Sequence, residues 1–316
     1  MLEGGACDLK KGGSVLCAAA AVQYAWIHQQ RPELTVSRLC RLLAVSRSGS
    51  YAWLSRPPWA QTAAEQALPD MITRSVAQGR GTYGTRRIQH LLAQEGLQGS
   101  RRRIGRVLGQ AGLRCKTRRK DKAPTTAGQA QTVAPNQRNR ECTVQAPEKV
   151  YVGDMTYLPT GEGWLYLAVV LELCSRAVVG WAMAAHRRAA LVNQALAMAI
   201  CQRRPAAGLI MHTDRGSQYG AESSRQLLTP PGVQPSMSRK GNCWDNAVAE
   251  SFFHTLKTEL ISLEEFDTHE QAQTAVFEYV EVFYNRQRCH SANGYLAPLA
   301  YEQTLKIHES LCPEKC

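Results

Sequence analysis

The first helical pattern of the chain lies between residues 35 and 55. Apolar side chains recur there at the spacing of one buried helix face, at Val36, Leu39, Leu42 and Leu43. Ser46 follows as a predicted N-cap, and a second helix is expected to run to about Leu54, before Pro57 and Pro58 end it. This is the spacing of a helix-turn-helix, although the segment alone fits a generic helical hairpin equally well.

A second pair of helices is predicted between residues 86 and 112. The first of them, residues 86–95, is closed by Gly96, and its apolar face consists of Ile88, Leu91 and Leu92. Ser100 is the predicted N-cap of the next helix, whose buried stripe is formed by Ile104, Val107 and Leu108.

The exposed face of this last helix is strongly basic. Residues 101–122 contain ten basic side chains and one acidic side chain. Because charges of one sign repel one another, such a face fits contact with phosphate better than a solvated surface of alternating charges does. The predicted DNA contacts of this segment are Arg101, Arg102, Arg103, Arg106, Arg118 and Arg119.

Beyond residue 148 the pattern alternates between strands and helices. The expected strands are residues 151–158, 164–174, 177–183, 209–212 and 233–237. The expected helices are residues 189–201, 221–228, 246–261 and 269–286. This order predicts an α/β fold, a mixed five-stranded sheet with flanking helices, preceded by an all-α region.

These patterns divide the chain into six segments. They are a flexible leader (1–21), a helix-turn-helix-like segment (22–60), a second helical and basic segment (61–122), a linker (123–147), a catalytic core (148–265) and a C-terminal helix with its tail (266–316).

Composition narrows the class of partner. The formal net charge is +12 and the isoelectric point is near 9.3, which favours a polyanion but does not separate nucleic acid from an acidic membrane surface. No run of 18 apolar residues predicts a transmembrane helix. The eleven scattered cysteines fit reduced, mostly buried thiols better than a disulfide framework.

Three acidic residues are distinguished by the elements that carry them. Asp154 lies within an apolar strand, where a carboxyl group needs a reason to be present. Asp214 comes just after a strand, in HTDRGSQY, and Glu250 lies about one turn into a helix, with 35 residues between the two. Mg²⁺ prefers carboxylate oxygens, and two ions roughly 3.5–4 Å apart serve phosphoryl transfer. The three acids are therefore candidate catalytic residues and metal ligands.

Side chains near the third acid are candidate DNA contacts. Residues seven apart share a helix face, so Lys257 projects with Glu250, about 10 Å along the axis. That Lys257 is an ordinary surface lysine without a DNA contact is nearly as good an interpretation. The loop 239–245 carries Lys240 and Trp244, which suit a loop that closes over DNA, although an ordinary connection is the alternative.

Several of these strings occur together in an order that resembles a known family. It is the family of transposases of bacterial insertion sequences of family three, the product of the second reading frame, with a catalytic domain of the retroviral integrase and ribonuclease H-like superfamily. The catalytic half resembles it in DMTYLPTGEGWLYLAVVLELCSRAVVGW, HTDRGSQY, SRKGNCWDNAVAESFFHTLKTEL and YNRQRCHSANGY. Upstream, LCRLLAVSRSGSYAWLSRP and GTYGTRRIQHLL are similar to the family's helix-turn-helix region.

The resemblance implies a DDE polynucleotidyl transferase with Asp154, Asp214 and Glu250 as its triad. Its cofactors would be two divalent metal ions, Mg²⁺ or Mn²⁺, and no nucleotide. It would cleave DNA at the ends of a mobile element and transfer the freed strand. The expected partners are the terminal inverted repeats, target DNA, further copies of the chain on DNA and the product of an upstream overlapping frame, with no membrane. The expected location is the bacterial cytoplasm, in association with the nucleoid.

The chain departs from the family pattern at a few positions. Glu172 stands where an aspartate is common, and Tyr151 stands where a tryptophan is common. Asn293 replaces an apolar residue at a site that is usually buried, and it is expected to weaken the C-terminal packing.

Two rival hypotheses stay open. A ribonuclease H-like nuclease would hydrolyse its substrate without joining strands, and it would not need the basic N-terminal helices. An inactive remnant would bind the repeats and would tolerate loss of the triad.

Overall fold

The computed structural model describes residues 15, 18–55, 63–116, 134–137, 144–214, 216, 218–229, 232–238 and 246–311. Most of the predicted leader and linker lie outside these residues, as do Pro57 and Pro58. Four predicted DNA contacts also lie outside them: Arg118, Arg119, Lys240 and Trp244. The chain divides into two units, residues 1–68 and 69–316. No helix of the described ranges combines the length and the apolar character that crossing a membrane requires.

Residues 18–55 of the first unit contain three short helices: α1 (Ala20–Gln29), α2 (Val36–Leu42) and α3 (Arg47–Ser55). The Ser46 hydroxyl accepts a hydrogen bond from the backbone N–H of Gly49 at 3.2 Å, as an N-cap does. The buried cluster of this unit consists of Ile27, Val36, Leu39, Cys40 and Leu43. The prediction for Leu42 was wrong, because its side chain is 58% exposed. A helix of seven residues that packs along Val36, Leu39 and Leu43 turns Leu42 towards solvent.

Three further helices precede the sheet: α4 (Ala63–Gln78), α5 (Thr85–Gln94) and α6 (Arg101–Gln110). The predicted apolar face of α5 is confirmed, since Ile88, Leu91 and Leu92 are all buried. At the start of α6 the Ser100 hydroxyl accepts from the backbone N–H of Arg103 at 3.2 Å, which confirms the predicted N-cap. Of the expected α6 stripe, Ile104 is fully buried, whereas Val107 and Leu108 are half-buried.

The central sheet has five strands in the order β3-β2-β1-β4-β5. They are β1 (Val150–Thr160), β2 (Gly163–Glu172), β3 (Val178–Ala184), β4 (Ile210–Thr213) and β5 (Gln234–Met237). The first three pair antiparallel, whereas β1, β4 and β5 pair parallel. The predicted mixed five-stranded sheet is therefore confirmed.

Helices cover the sheet because both of its faces are apolar. Helix α7 (Ala189–Arg203) buries Leu191, Ala195 and Ala199 in one core with residues of β1, β2 and β3. A Cβ at Gly180 of β3 would lie 2.2 Å from the carbonyl oxygen of Ala195, so the close approach of α7 requires glycine there. The short helix α8 (Glu222–Leu228) lies between β4 and β5 in the chain.

The C-terminal helices change from α to π geometry. Helix α9 (Ala247–Leu256) continues as a π-helix over Lys257–Ile261, and α10 (His269–Phe277) continues as one over Glu278–Tyr284. The predicted helices over residues 246–261 and 269–286 are therefore present, and each of them ends in a π-helical segment. A 3₁₀ turn (Ser291–Asn293) and helix α11 (Pro298–Leu311) follow.

A buried ion pair holds the first π-helix in place. The Glu259 carboxylate accepts hydrogen bonds from two guanidinium nitrogens of Arg288, both at 2.7 Å, and from the hydroxyl of Tyr279 at 2.8 Å. Arg87 of α5 lies 3.8 Å from the same carboxylate. Because an unpaired buried charge is costly, this pairing fixes the segment that directly follows α9.

The positions that depart from the family pattern have partners in the fold. Glu172 is fully buried, and its carboxylate accepts from the backbone N–H of Ser175 at 2.6 Å and from the Ser175 hydroxyl at 2.8 Å. Tyr151 hydrogen-bonds to Glu148. Asn293 is buried, and its side-chain nitrogen donates to the backbone oxygen of Ser175 at 2.6 Å, while its side-chain oxygen has no hydrogen-bond partner.

We expect Arg288→Met to lower the free energy of unfolding by about 3–5 kcal/mol, because it removes both guanidinium hydrogen bonds of the buried Glu259 carboxylate and leaves only the Tyr279 hydroxyl and the more distant Arg87. Urea unfolding followed by circular dichroism measures this change. The matched control is Arg225→Ala, which removes the exposed pair of Arg225 with Glu222 and should cost only about 0–1 kcal/mol. Equal effects of the two changes would contradict a structural role for the buried pair.

Candidate active site

Two of the candidate acids lie side by side at one edge of the sheet. The parallel pairing of β1 with β4 ends at Gly153 opposite Thr213, so Asp154 and Asp214 are the next residue of each chain segment. Ligand sites of open α/β sheets lie at the carboxyl ends of parallel strands. Strand pairing therefore places the two carboxyl groups together across 59 intervening residues of chain.

Local hydrogen bonds orient these two carboxylates. The backbone N–H of Met155 donates to Asp154 Oδ1 at 2.7 Å, and the backbone N–H of Gly216 donates to Asp214 Oδ1 at 2.9 Å. A Cβ at position 216 would stand only 2.9 Å from Asp214 Oδ1, so glycine allows the backbone to approach the acid this closely. Beneath them, His212 is fully buried, and its two ring nitrogens lie 2.9 and 3.1 Å from the hydroxyls of Ser236 and Ser238.

The third acid is carried by α9, which packs against β1. Glu250 and His254 are exposed, whereas Phe252 and Leu256 are buried. This helix therefore has one face packed in the core and one face open to solvent, and Glu250 lies on the open face. Packing of the apolar face of α9 on the sheet places Glu250 where its negative charge acts on Asp154 and raises the pKa of that acid.

The pKa of Asp154 is raised to about 7, first by burial and then by the negative charges of Asp214 and Glu250. The N–H of Met155 and the ammonium of Lys257 act in the opposite direction. Loss of hydration also raises the pKa of Asp214. The three acids and Lys257 therefore share one electrostatic environment.

Tyr219 belongs to the same environment, although the sequence did not single it out. Burial and the charges of Asp154 and Asp214 raise the pKa of its hydroxyl well above the usual range. Its ring also lies 3.3 Å from the position that a Cβ on Gly153 would take. The position of Tyr219 at the end of HTDRGSQY was the available signal, but nothing in that string indicates that the Tyr219 ring packs against β1.

The other candidate contacts are distributed over separate elements. Lys257 begins the π-helix after α9, and its ammonium nitrogen lies 5.4 Å from the centre of the Tyr157 ring. Arg101, Arg102, Arg103 and Arg106 lie on α6, which packs against α5. Three of these four arginines are exposed and Arg103 is half-buried.

The acids supply oxygen ligands of the kind that Mg²⁺ prefers. In the described part of the chain, however, no three His, Cys, Asp or Glu side chains are grouped closely enough to hold a metal ion. The carboxylates of Asp154 and Asp214 instead accept hydrogen bonds from backbone N–H groups. The chemistry of the donor set thus fits a divalent cation, and binding one requires the side chains to draw together.

The fold and the site define an integrase-type catalytic unit joined to a helical segment. The family described as "Integrase core domain" matches residues 144–243 and, in a second part, residues 250–305, while "HTH-like domain" matches residues 63–121. The chain is 42% identical over 271 residues to an insertion element IS600 protein of 31 kDa from Shigella sonnei, covering 86% of this chain and 99% of that one. It is 37% identical over 283 residues to transposase InsF for insertion sequence IS3A from Escherichia coli K12, covering 89% and 98%.

At this identity and coverage, the chain belongs to the IS3 family of insertion-sequence transposases. Similarity to solved structures is more distant. The catalytic core domain of BIV integrase shares 19% identity with a TM-score of 0.39, over 52% of this chain and 99% of that one.

We expect Asp154→Asn to stabilise the metal-free protein at pH 8. An acid whose pKa rises from 3.8 to about 7 on folding favours its protonated form in the folded state, so its ionisation opposes folding above pH 7. That penalty disappears as the pH falls towards 4. Urea midpoints of the variant and the parent should therefore differ at pH 8 and converge at pH 4.

Glu264→Gln is the matched control, because Glu264 is an exposed carboxyl outside the cluster. It should leave the midpoint unchanged at both pH values. A midpoint for Asp154→Asn that is equal to or lower than that of the parent at pH 8 would contradict the electrostatic conflict described for the three acids.

Proposed function

We propose that this chain cuts and joins DNA strands at the ends of an insertion sequence, with Asp154, Asp214 and Glu250 as its catalytic residues. The observation that carries the proposal is the position of Asp154 and Asp214 directly after the paired ends of two parallel strands, where the charges of Asp214 and Glu250 both act on Asp154. Burial and the repulsion from these two charges raise the pKa of Asp154, and acids with strongly perturbed pKa values are concentrated at functional sites. Membership of a transposase family supports DNA as the substrate.

The three carboxylates would hold two divalent cations, Mg²⁺ or Mn²⁺. When bound, such ions lower the pKa of an attacking water and stabilise the charge on the phosphoryl group. The contribution of the chain is to supply oxygen ligands, to orient them from three elements, and to keep the Lys257 ammonium beside Asp154. That ammonium is suited to bind a phosphate oxygen of the DNA strand.

The proposed chemistry consists of two phosphodiester exchanges. In the first, a water oxygen bonds to phosphorus at the element end while the bond from phosphorus to the 3′ oxygen breaks, which frees a 3′-hydroxyl. In the second, that hydroxyl oxygen bonds to another phosphorus as the P–O bond there breaks. Each step forms one P–O bond and breaks one, the attacking oxygen loses a proton and the departing oxygen gains one.

We further propose that residues 22–60 and 61–122 bind the terminal repeats, and that residues 148–265 carry the chemistry. The arginines of α6 support this proposal, because Arg101, Arg102 and Arg106 are exposed on a helix that is anchored by the buried Ile104. We also infer that several copies assemble on paired ends, with or without the product of an upstream frame, and that the protein works at the nucleoid in the cytoplasm.

Asp214→Asn and Glu250→Gln should each reduce strand joining by about a thousandfold or more, because each removes a charged ligand. A gel assay with Mg²⁺ and duplexes carrying the terminal repeats measures nicked and joined products separately. Glu264→Gln is the matched control and should act like the parent. Joining by both triad variants at the parental rate would refute the assignment, and nicking without any joining by the parent would favour the nuclease alternative.

Replacing Arg101, Arg102 and Arg106 together by alanine should weaken DNA binding at all sequences. Each lost phosphate contact should also flatten the plot of log affinity against log salt by about 0.9. Fluorescence anisotropy between 50 and 200 mM salt, roughly the range where such contacts matter most, measures both effects. Arg225→Ala, an exposed arginine on α8, is the control that should preserve affinity and slope. An unchanged slope in the triple variant would exclude these arginines from phosphate contact.

A further inference from the structure

The hairpin formed by β1 and β2 carries two aromatic side chains that remain more than half exposed. Tyr157 is 53% and Trp164 is 54% exposed. Their ring centres lie 4.9 Å apart in an edge-to-face arrangement, and the ring of Tyr166 lies 6.5 Å from that of Tyr157. Because Tyr157 pairs with Tyr166, and Pro159 pairs with Trp164, all three rings stand on one face of the hairpin. Tyr157 and Trp164 are called the aromatic pair below.

The tip of this hairpin is fixed by contacts to the start of α10. The backbone N–H of Gly161 donates to the carbonyl oxygen of Phe266 at 2.8 Å, and the Glu162 carboxylate accepts from the backbone N–H of His269 at 2.7 Å. A Cβ at Gly161 would lie 2.5 Å from the carbonyl oxygen of Asp267, so the approach is close. The aromatic pair is therefore held in place before any ligand arrives, which lowers the entropic cost of binding.

The hairpin of β1 and β2 extends beyond the end of the short strand β4, starting at the position of Asp154. Strand β1 pairs with β4 only as far as Gly153, and the described residues provide no strand partner on that edge from Asp154 onward. Alternation puts Asp154 and Tyr157 on opposite faces of β1, about 10 Å apart along it. Lys257 lies at the unpaired edge of β1 and is related to both residues. Its ammonium lowers the pKa of Asp154, and it lies 5.4 Å from the centre of the Tyr157 ring.

We propose that the aromatic pair stacks on an unpaired nucleobase of the DNA end whose phosphodiester is held at Asp154. This inference rests on the proposed function and names a further part of its substrate site. A strand whose phosphate faces Asp154 and Lys257 reaches the rings only if its base leaves the duplex and turns around the open edge of β1. An aromatic ring can stack on any of the four bases, so this contact does not depend on sequence. The Lys257 ammonium beside the Tyr157 ring and the net charge of +12 of the chain complement the negative phosphates of the strand.

The binding test compares two fluorescein-labelled duplexes that carry the terminal repeat. One is fully paired, and in the other the last three base pairs are mismatched. Tyr157→Ala and Trp164→Ala should each weaken binding of the mismatched duplex by about tenfold in fluorescence anisotropy, the effect of removing one stacking ring. Tyr157→Phe and Trp164→Phe keep a ring and should keep most of the affinity.

Phe277→Ala is the matched control. Phe277 is another aromatic residue that is 53% exposed, but it lies on α10 with its ring 6.2 Å from that of Trp181. It should bind both duplexes like the parent. Alanine variants of the aromatic pair that bind the mismatched duplex as tightly as the parent does would overturn the inference. A change of their sedimentation without any change in DNA binding would also overturn it, in favour of a contact between copies.

An activity test separates this inference from the proposed function. If the parent joins strands, Trp164→Ala should slow joining of the paired end more than joining of the mismatched end, because opening a paired end costs more. Equal slowing of both ends would overturn the inference and leave the proposed function intact. A parent that joins neither end would overturn the proposed function, whereas a ring-dependent preference for the mismatched duplex would still support the aromatic site.

Discussion

The parallel pairing of β1 with β4 is the constraint on which the candidate active site depends. It runs from Val150 opposite Ile210 to Gly153 opposite Thr213, and it stops where the two aspartates begin. A parallel pair requires a crossover, and here β2, β3 and α7 provide it on the way from β1 to β4. The same elements that cover the sheet thus bring Asp154 and Asp214 together.

The third acid depends on packing of a different kind. Helix α9 is fixed to the sheet by its buried phenylalanines and leucine, and its continuation is fixed by Glu259, Arg288 and Tyr279. Arg288 comes from the segment after the second π-helix, so the C-terminal part of the chain supports the element that presents Glu250. The buried Arg–Glu pair has two direct hydrogen bonds and a third from Tyr279, so it avoids the cost of an unpaired charge and holds the helix in position.

The acid cluster itself opposes folding. Burial and two neighbouring negative charges raise the pKa of Asp154 to about 7, and the Met155 N–H and Lys257 offset only part of this effect. Apolar packing of α7 and α9 on the sheet has to compensate for this cost. Local electrostatic conflict of this sort is expected where a cation is to be bound, since positive charge between the carboxylates offsets their repulsion.

The sequence determined the elements and their chemistry. Period-two and helical patterns predicted the five strands and most helices, Ser46 and Ser100 were correctly predicted as N-caps, and three acids were selected because of the elements that carry them. These features are local, since they follow from backbone geometry and side-chain spacing within a few residues.

Only tertiary structure decided the rest. The parallel register aligned Asp154 with Asp214, and long-range packing drew Glu259 into an ion pair within a π-helical turn. Packing against β1 placed Tyr219 beside the acids. The exposure of Leu42 and of the aromatic pair likewise depended on which neighbours were present, and no pattern within a single segment contains that information.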